Sequence, residues 1–169
     1  MKKVDNPIPA EKRWEISADQ SSEIPFAYEM AIRKINPEKL KEMEDEIQEI
    51  WKKMGKKIGL EAREMCSNPD NAIDVADSLN AFSNSIFGSE FGYEIRPGRG
   101  DSAFAVTMKC PLLKKSSEWL SETSTAQSVC MNYTLSAVEG INSGYTVNYE
   151  KQMCAGDRKC VMKIEKAIQ

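Results

Sequence analysis

Cys154-Ala155-Gly156-Asp157-Arg158-Lys159-Cys160 separates two alternating segments, Tyr145 to Met153 and Val161 to Glu165. Alternation of apolar and polar residues is the period of a half-buried β-strand. Gly156-Asp157 supplies the turn, because glycine accepts positive φ and aspartate can bond its own backbone two residues on. The stretch therefore predicts a β-hairpin with a cysteine on each side of its loop. An earlier pair of strands is joined by Pro97-Gly98-Arg99-Gly100-Asp101 and closed by Cys110-Pro111, since proline cannot donate to a ladder. The strands are expected near 92–96, 103–110, 145–153 and 160–166.

Upstream of residue 88 the period is that of helices. Ile24, Tyr28, Ala31, Ile32 and Ile35 mark a helix over 24–35. Asn36-Pro37-Glu38 is a start signal: a cap, a proline suited to the first position and an acid that complements the dipole. The helix that follows, 37–58, carries Leu40, Met43, Ile47, Ile50, Trp51, Met54 and Ile58 as a narrow apolar stripe. Such a stripe either packs on its own domain or forms a seam with a second chain. Gly55 and Gly59 read as weakening its far end. Asn68-Pro69-Asp70 repeats the start signal for a helix over 69–87, which Gly88 ends. A short helix can begin at Ser116-Ser117-Glu118, and a longer one, capped by Ser124 or Thr125, covers 125–141. Helices first and antiparallel strands later predict an α+β fold, N-terminal helices packed on a four-stranded antiparallel sheet. The expected organisation is an extended arm over 1–21 and one domain over 22–169.

The chain of 169 residues contains no histidine, which removes imidazole bases and ligands and every Ser-His or Cys-His pair. A net charge of −3 gives no footprint for nucleic acid. No signal peptide or membrane-length apolar run is visible, so a cytoplasmic setting without membrane insertion is expected. Five cysteines is an odd number, consistent with free thiols in a reducing compartment.

Strand parity sorts those cysteines. Cys110 shares a face with Phe104, Val106 and Met108, and Cys160 shares one with Met162 and Ile164. Cys130 falls with Ala126, Val129, Tyr133, Ala137 and Ile141 on a helix, whereas Cys154 has the outward parity unless the hairpin is bulged. Three readings stay open: core filling by a small hydrophobe, a three- or four-thiolate metal site of Cys110, Cys130 and Cys160, with Cys154 as fourth ligand if the hairpin bulges, holding zinc or iron, or a catalytic or redox thiol.

Cys110-Pro111, Cys130 a helix later, and Ala155-Gly156-Asp157 with Cys160 and its strand make residues 85–166 similar to the L-2-aminothiazoline-4-carboxylate hydrolase family. A more distant resemblance is to vinyl-reductase-type small-molecule-binding domains. The resemblance implies a pocket between helices and sheet, and that the three cysteines correspond to recurring ones. A hydrolase of this type would open a small cyclic thioether-amidine by water attack. Asp157 or Glu118 would be the base, and Arg96 or Arg158 would hold the substrate carboxylate. The second reading is a non-catalytic module, a small-ligand or metal sensor with Met108, Met162, Tyr133 and Tyr145 lining an adaptable pocket. The third is a protein-interaction subunit, docking a partner or a second copy through the 37–58 helix, or a partner through the Trp14 arm.

Overall fold

The computed structural model describes residues 8–88, 91–120 and 124–168. Residues 1–7 of the expected arm lie outside them. The first helix, α1 (Ala10–Ile35), begins far earlier than the periodicity suggested, so residues 10–21 are helical and not extended. Pro25 lies inside it and removes a backbone donor. Tertiary packing overrides that cost. Ala18, Ser22, Phe26 and Glu29 recur at helical spacing and are buried, and the Trp14 indole donates to the Ser85 carbonyl at 2.9 Å.

A 3₁₀ turn over Pro37–Lys39 leads into α2 (Leu40–Met65). Asn36 makes no side-chain cap, and the helix runs past residue 58. Its buried face is Trp51, Gly55, Gly59 and Ala62; of the apolar stripe only Trp51 is buried, while Ile47 and Ile58 pack against the core's edge and Ile50 and Met54 are exposed. The two glycines are where α2 crosses α5 (Ser124–Ile141). A methyl group at Gly55 would fall on the Tyr133 carbonyl oxygen, and one at Gly59 on that of Ala137; Gly140 faces the Gly59 backbone in return. The glycines that seemed to weaken α2 instead allow its closest packing.

The third helix, α3 (Ala72–Phe87), is capped by Asn71, whose side chain accepts from the Ile73 and Asp74 amides at 3.1 and 3.0 Å. Asn68 sits in the preceding turn with φ of 57°. Gly88 ends the helix with φ of 90°, as its position in the sequence implied. The fourth helix, α4 (Pro111–Leu120), starts at proline rather than at Ser116.

Strands β1 (Glu94–Pro97), β2 (Ser102–Thr107), β3 (Tyr145–Lys151) and β4 (Cys160–Lys166) form one antiparallel sheet in the order β1-β2-β4-β3. The fold is α+β with helices packed on that sheet. On β4, Met162 and Ile164 enter the core as their parity predicted. On β2 the parity is reversed: Ala103 and Ala105 pair with Ile164 and Met162 and face the helices. Alanines let a helix come close to the sheet, whereas Phe104 and Val106 take the other face, and Met108 lies beyond the strand at 64% exposure. The register shifts between Tyr149 and Lys151, so the last hairpin is bulged and Cys154 is half-buried in a 3₁₀ turn. Gly156, at φ of 99°, closes that turn, and Asp157 accepts from the Gln152 amide at 2.8 Å.

Candidate functional site

The residues assigned to hydrolysis are not assembled. Asp157 is exposed in the hairpin loop and spent on closing it, and Glu118 is exposed on α4. Arg96 is exposed and held by Glu94 through two hydrogen bonds of 2.9 and 2.8 Å, while Arg158 is exposed in the loop. Tyr133 belongs to an aromatic core with Trp51 and Phe87, at centroid distances of 6.1 and 5.4 Å. Tyr145 is buried and donates to the Asp70 carbonyl at 2.8 Å. Met162 is core, whereas Met108 and Arg96 border a shallow surface depression. That depression is not lined by Tyr133, Tyr145, Met162 or Arg158.

The metal-binding reading of the cysteines is corrected as well. Among the described residues no group of three or more cysteine, aspartate or glutamate side chains could hold a metal ion. Each thiol has its own local partner instead. The Leu113 amide donates to Cys110, the Met153 amide donates to Cys160, and Cys130 bonds the Tyr149 hydroxyl, each at 3.3 Å. Metal ligation requires thiolates. Burial, with Cys130 nearby, pushes the Cys110 thiol up to about 12, and burial raises Cys130 to about 11. Burial also raises Cys154 and Cys160. At neutral pH the proton therefore stays on the Cys110 and Cys130 sulfurs. Alkylation of native protein at neutral pH should leave Cys110 and Cys130 unlabelled until the chain is unfolded. Fast native labelling of either, read by peptide mass, contradicts this placement.

The site that does stand out was carried by the apolar stripe. α1 and α2 are held apart and leave a cleft whose floor is Val129 of α5. One wall is Ile24, Tyr28 and Ile32, spaced by four residues along α1; the other is Ile47, Ile50 and Met54 of α2. The cleft encloses about 290 Å³. Tyr28 and Ile50 are 68% and 53% exposed, and Ile24, Ile32 and Met54 are also open to solvent. Singly, exposed apolar residues are ordinary; a contiguous set lining a groove is the signature of a binding surface.

One end of the cleft is polar. A smaller cavity of about 120 Å³ adjoins it, bordered by Glu29, Glu44, Gln48, Thr125 and Ser128. Glu29 is 2% exposed and accepts from Arg33 at 2.6 and 2.9 Å and from the Thr125 hydroxyl at 3.0 Å. Arg33 also reaches Glu44 at 3.2 Å. A buried pair of this kind adds little net stability, but it ties α1 to both α2 and α5 at a set separation. The cleft is thus a built feature of the helical layer.

These features define a helix-layered α+β domain with an open apolar cleft between α1 and α2. Its fold is similar to a crystal structure of a trafficking protein particle complex subunit 3 from Naegleria fowleri covalently bound to palmitic acid, with a TM-score of 0.60 at 12% identity, covering 90% of this chain and 96% of that one. No family model and no curated protein matches the sequence. The expected hydrolase family is therefore corrected: no family model or curated protein supports it, and the fold over most of the chain is similar to that subunit. No helix among the described residues is long and apolar enough to cross a membrane.

Proposed function

We propose that this chain is a non-catalytic subunit of a protein assembly, which receives a partner in the cleft between α1 and α2. The observation that carries this is the open double row of apolar side chains, Ile24, Tyr28 and Ile32 against Ile47, Ile50 and Met54. Two helices set apart over an apolar floor fit the helix-in-groove mode, in which side chains at i, i+3, i+4 and i+7 of a partner fill the trough. The similar fold of a subunit from a multiprotein trafficking particle supports the same reading. Five free cysteines suit a cytoplasmic setting, where thiols stay reduced.

Photo-crosslinking in cells tests it. A photoreactive residue at Ile50 or Tyr28 should yield protein adducts, and one at exposed Asn148 on the sheet should not. If Ile50 gives no adduct above the Asn148 background, the cleft is not a docking site.

A further inference from the structure

The two halves of the chain carry opposite charge. Residues 8–88, which form α1, α2 and α3, hold eleven lysines and arginines against sixteen aspartates and glutamates. Residues 91–120 and 124–168, which form the sheet, α4 and α5, hold ten against seven. Part of that positive charge gathers at one end of the sheet's outer face. The register sets Glu94 and Arg96 of β1 opposite Val106 and Phe104, on the face turned away from the helices. A depression of about 390 Å³ opens there, bordered by Glu94, Arg96, Val106, Met108, Lys109 and Lys159. Glu94, the acid on this border, is held through both its oxygens by Arg96, at 2.9 and 2.8 Å. Lys109 is exposed, and Lys159 forms no ion pair among the described residues. Met108 stands 64% exposed between them, beside buried Val106.

We infer that this depression docks an acidic segment of a partner protein, its carboxylates against Lys109 and Lys159 and an apolar side chain on Met108. The layout of the charge selects that occupant. Cations from β1, the end of β2 and the approach to β4 surround an open hollow, whereas a small anion needs donors that converge on one point. Spread charge with an apolar centre matches several carboxylates along a chain. Nucleic acid calls for many more phosphate contacts than these few cations supply. An anionic bilayer calls for a denser basic cluster, and here Glu94 interrupts the row. The acidic helical half repels the same segment, so the asymmetry of the chain steers it to this end. The surface is separate from the cleft between α1 and α2, and the two proposals stand or fall independently.

The test uses the full chain and a fluorescent nine-residue peptide, glutamate throughout with a photoreactive leucine at its centre. Anisotropy should report a Kd of about 10–100 µM in about 50 mM salt. Raising the salt to about 500 mM should weaken binding at least about tenfold, because exposed charges are then screened over a few ångströms. The same peptide with lysine in place of glutamate should not bind. Lys109→Glu/Lys159→Glu should weaken binding at least about tenfold, and the neutral pair Lys109→Gln/Lys159→Gln should act in the same direction. Lys34→Glu/Lys41→Glu alters net charge as much at exposed positions on α1 and α2, and should bind as wild type does. Circular dichroism checks that each variant is folded. On irradiation the leucine should attach within 106–109, read by peptide mass. No binding below about 1 mM, or equal binding by the folded Lys109→Glu/Lys159→Glu variant, overturns the inference. Attachment in the α1–α2 cleft overturns it as well and leaves the cleft proposal standing. Sedimentation with phosphatidylserine vesicles, without peptide binding, would overturn it in favour of a lipid surface.

Discussion

Replacing Trp51 by alanine is expected to lower the unfolding free energy by about 3–5 kcal/mol, the range for deleting a buried aromatic. Trp51 is 3% exposed, lies edge-on to Tyr133 and packs on Phe87 at a centroid distance of 6.5 Å. It also backs the wall of the cleft. The helices cannot collapse freely into the space it leaves, because the close α2–α5 crossing limits their approach. Against a total stability of about 5–15 kcal/mol for an ordinary domain, this is a large fraction. Trp51→Phe keeps much of the apolar volume and should cost clearly less. Urea titration, with midpoints compared at unchanged slope, measures both. A loss below about 1 kcal/mol for alanine would mean the side chain is not in the core, since surface changes stay within that limit. Because Trp51 serves both core and cleft, docking is better probed at Ile50.

The second large effect is expected at Gly59, where two physical rules give opposite signs. In an ordinary helix interior, glycine to alanine stabilises by roughly 0.5–1 kcal/mol through the lost backbone freedom of glycine. Here the added methyl would fall on the Ala137 carbonyl oxygen and crowd Gly140, both backbone positions that cannot rotate away. Overpacking of this kind typically costs about 1–3 kcal/mol, and a clash with backbone belongs at the upper end. Gly59→Ala should therefore destabilise by about 2 kcal/mol net, which for a chain of this size lowers Tm by roughly 4–8 °C. Gly140→Ala should behave alike, as its methyl would meet the Lys56 carbonyl and the Gly59 backbone. A rise in Tm for Gly59→Ala would show that the helices cross farther apart than the structure places them.

The hydrolase resemblance failed for a physical reason. It rested on Cys110-Pro111, Cys130 and the Gly156-Asp157 turn with Cys160, all of which have structural work to do. Cys110 bonds an amide in the first turn of α4 and Gly156 holds a left-handed turn. Asp157 closes the hairpin loop. Residues that serve a fold recur wherever that fold needs them, so they do not specify a reaction.

The cleft between α1 and α2 was legible in outline, as an apolar stripe, and not in detail. The stripe Leu40, Met43, Ile47, Ile50 and Met54 is real, but it is half-buried or exposed, and Ile50 is more than half exposed. Amphipathic periodicity shows that a face is apolar; it does not say whether the cover is the same chain. The true core face of α2 consists of Trp51, Gly55, Gly59 and Ala62, and three of those four are too small to register as hydrophobic pattern.

Local signals by themselves determined the α+β class, the four strands, the end of α3 at Gly88 and the final hairpin, because strand alternation and turn glycines are properties of a few neighbouring residues. Only the tertiary structure decided the rest. It carried α1 through Pro25, since burial of Phe26 and the bond from Trp14 to Ser85 lie outside the local window. It turned Ala103 and Ala105 inward on β2, where closeness to the helices outweighs side-chain size. It held α1 and α2 apart through Glu29, Arg33 and Thr125, contacts between residues up to 96 positions apart. A cleft is the space between elements, and separation in space between distant segments leaves no periodic mark in the chain.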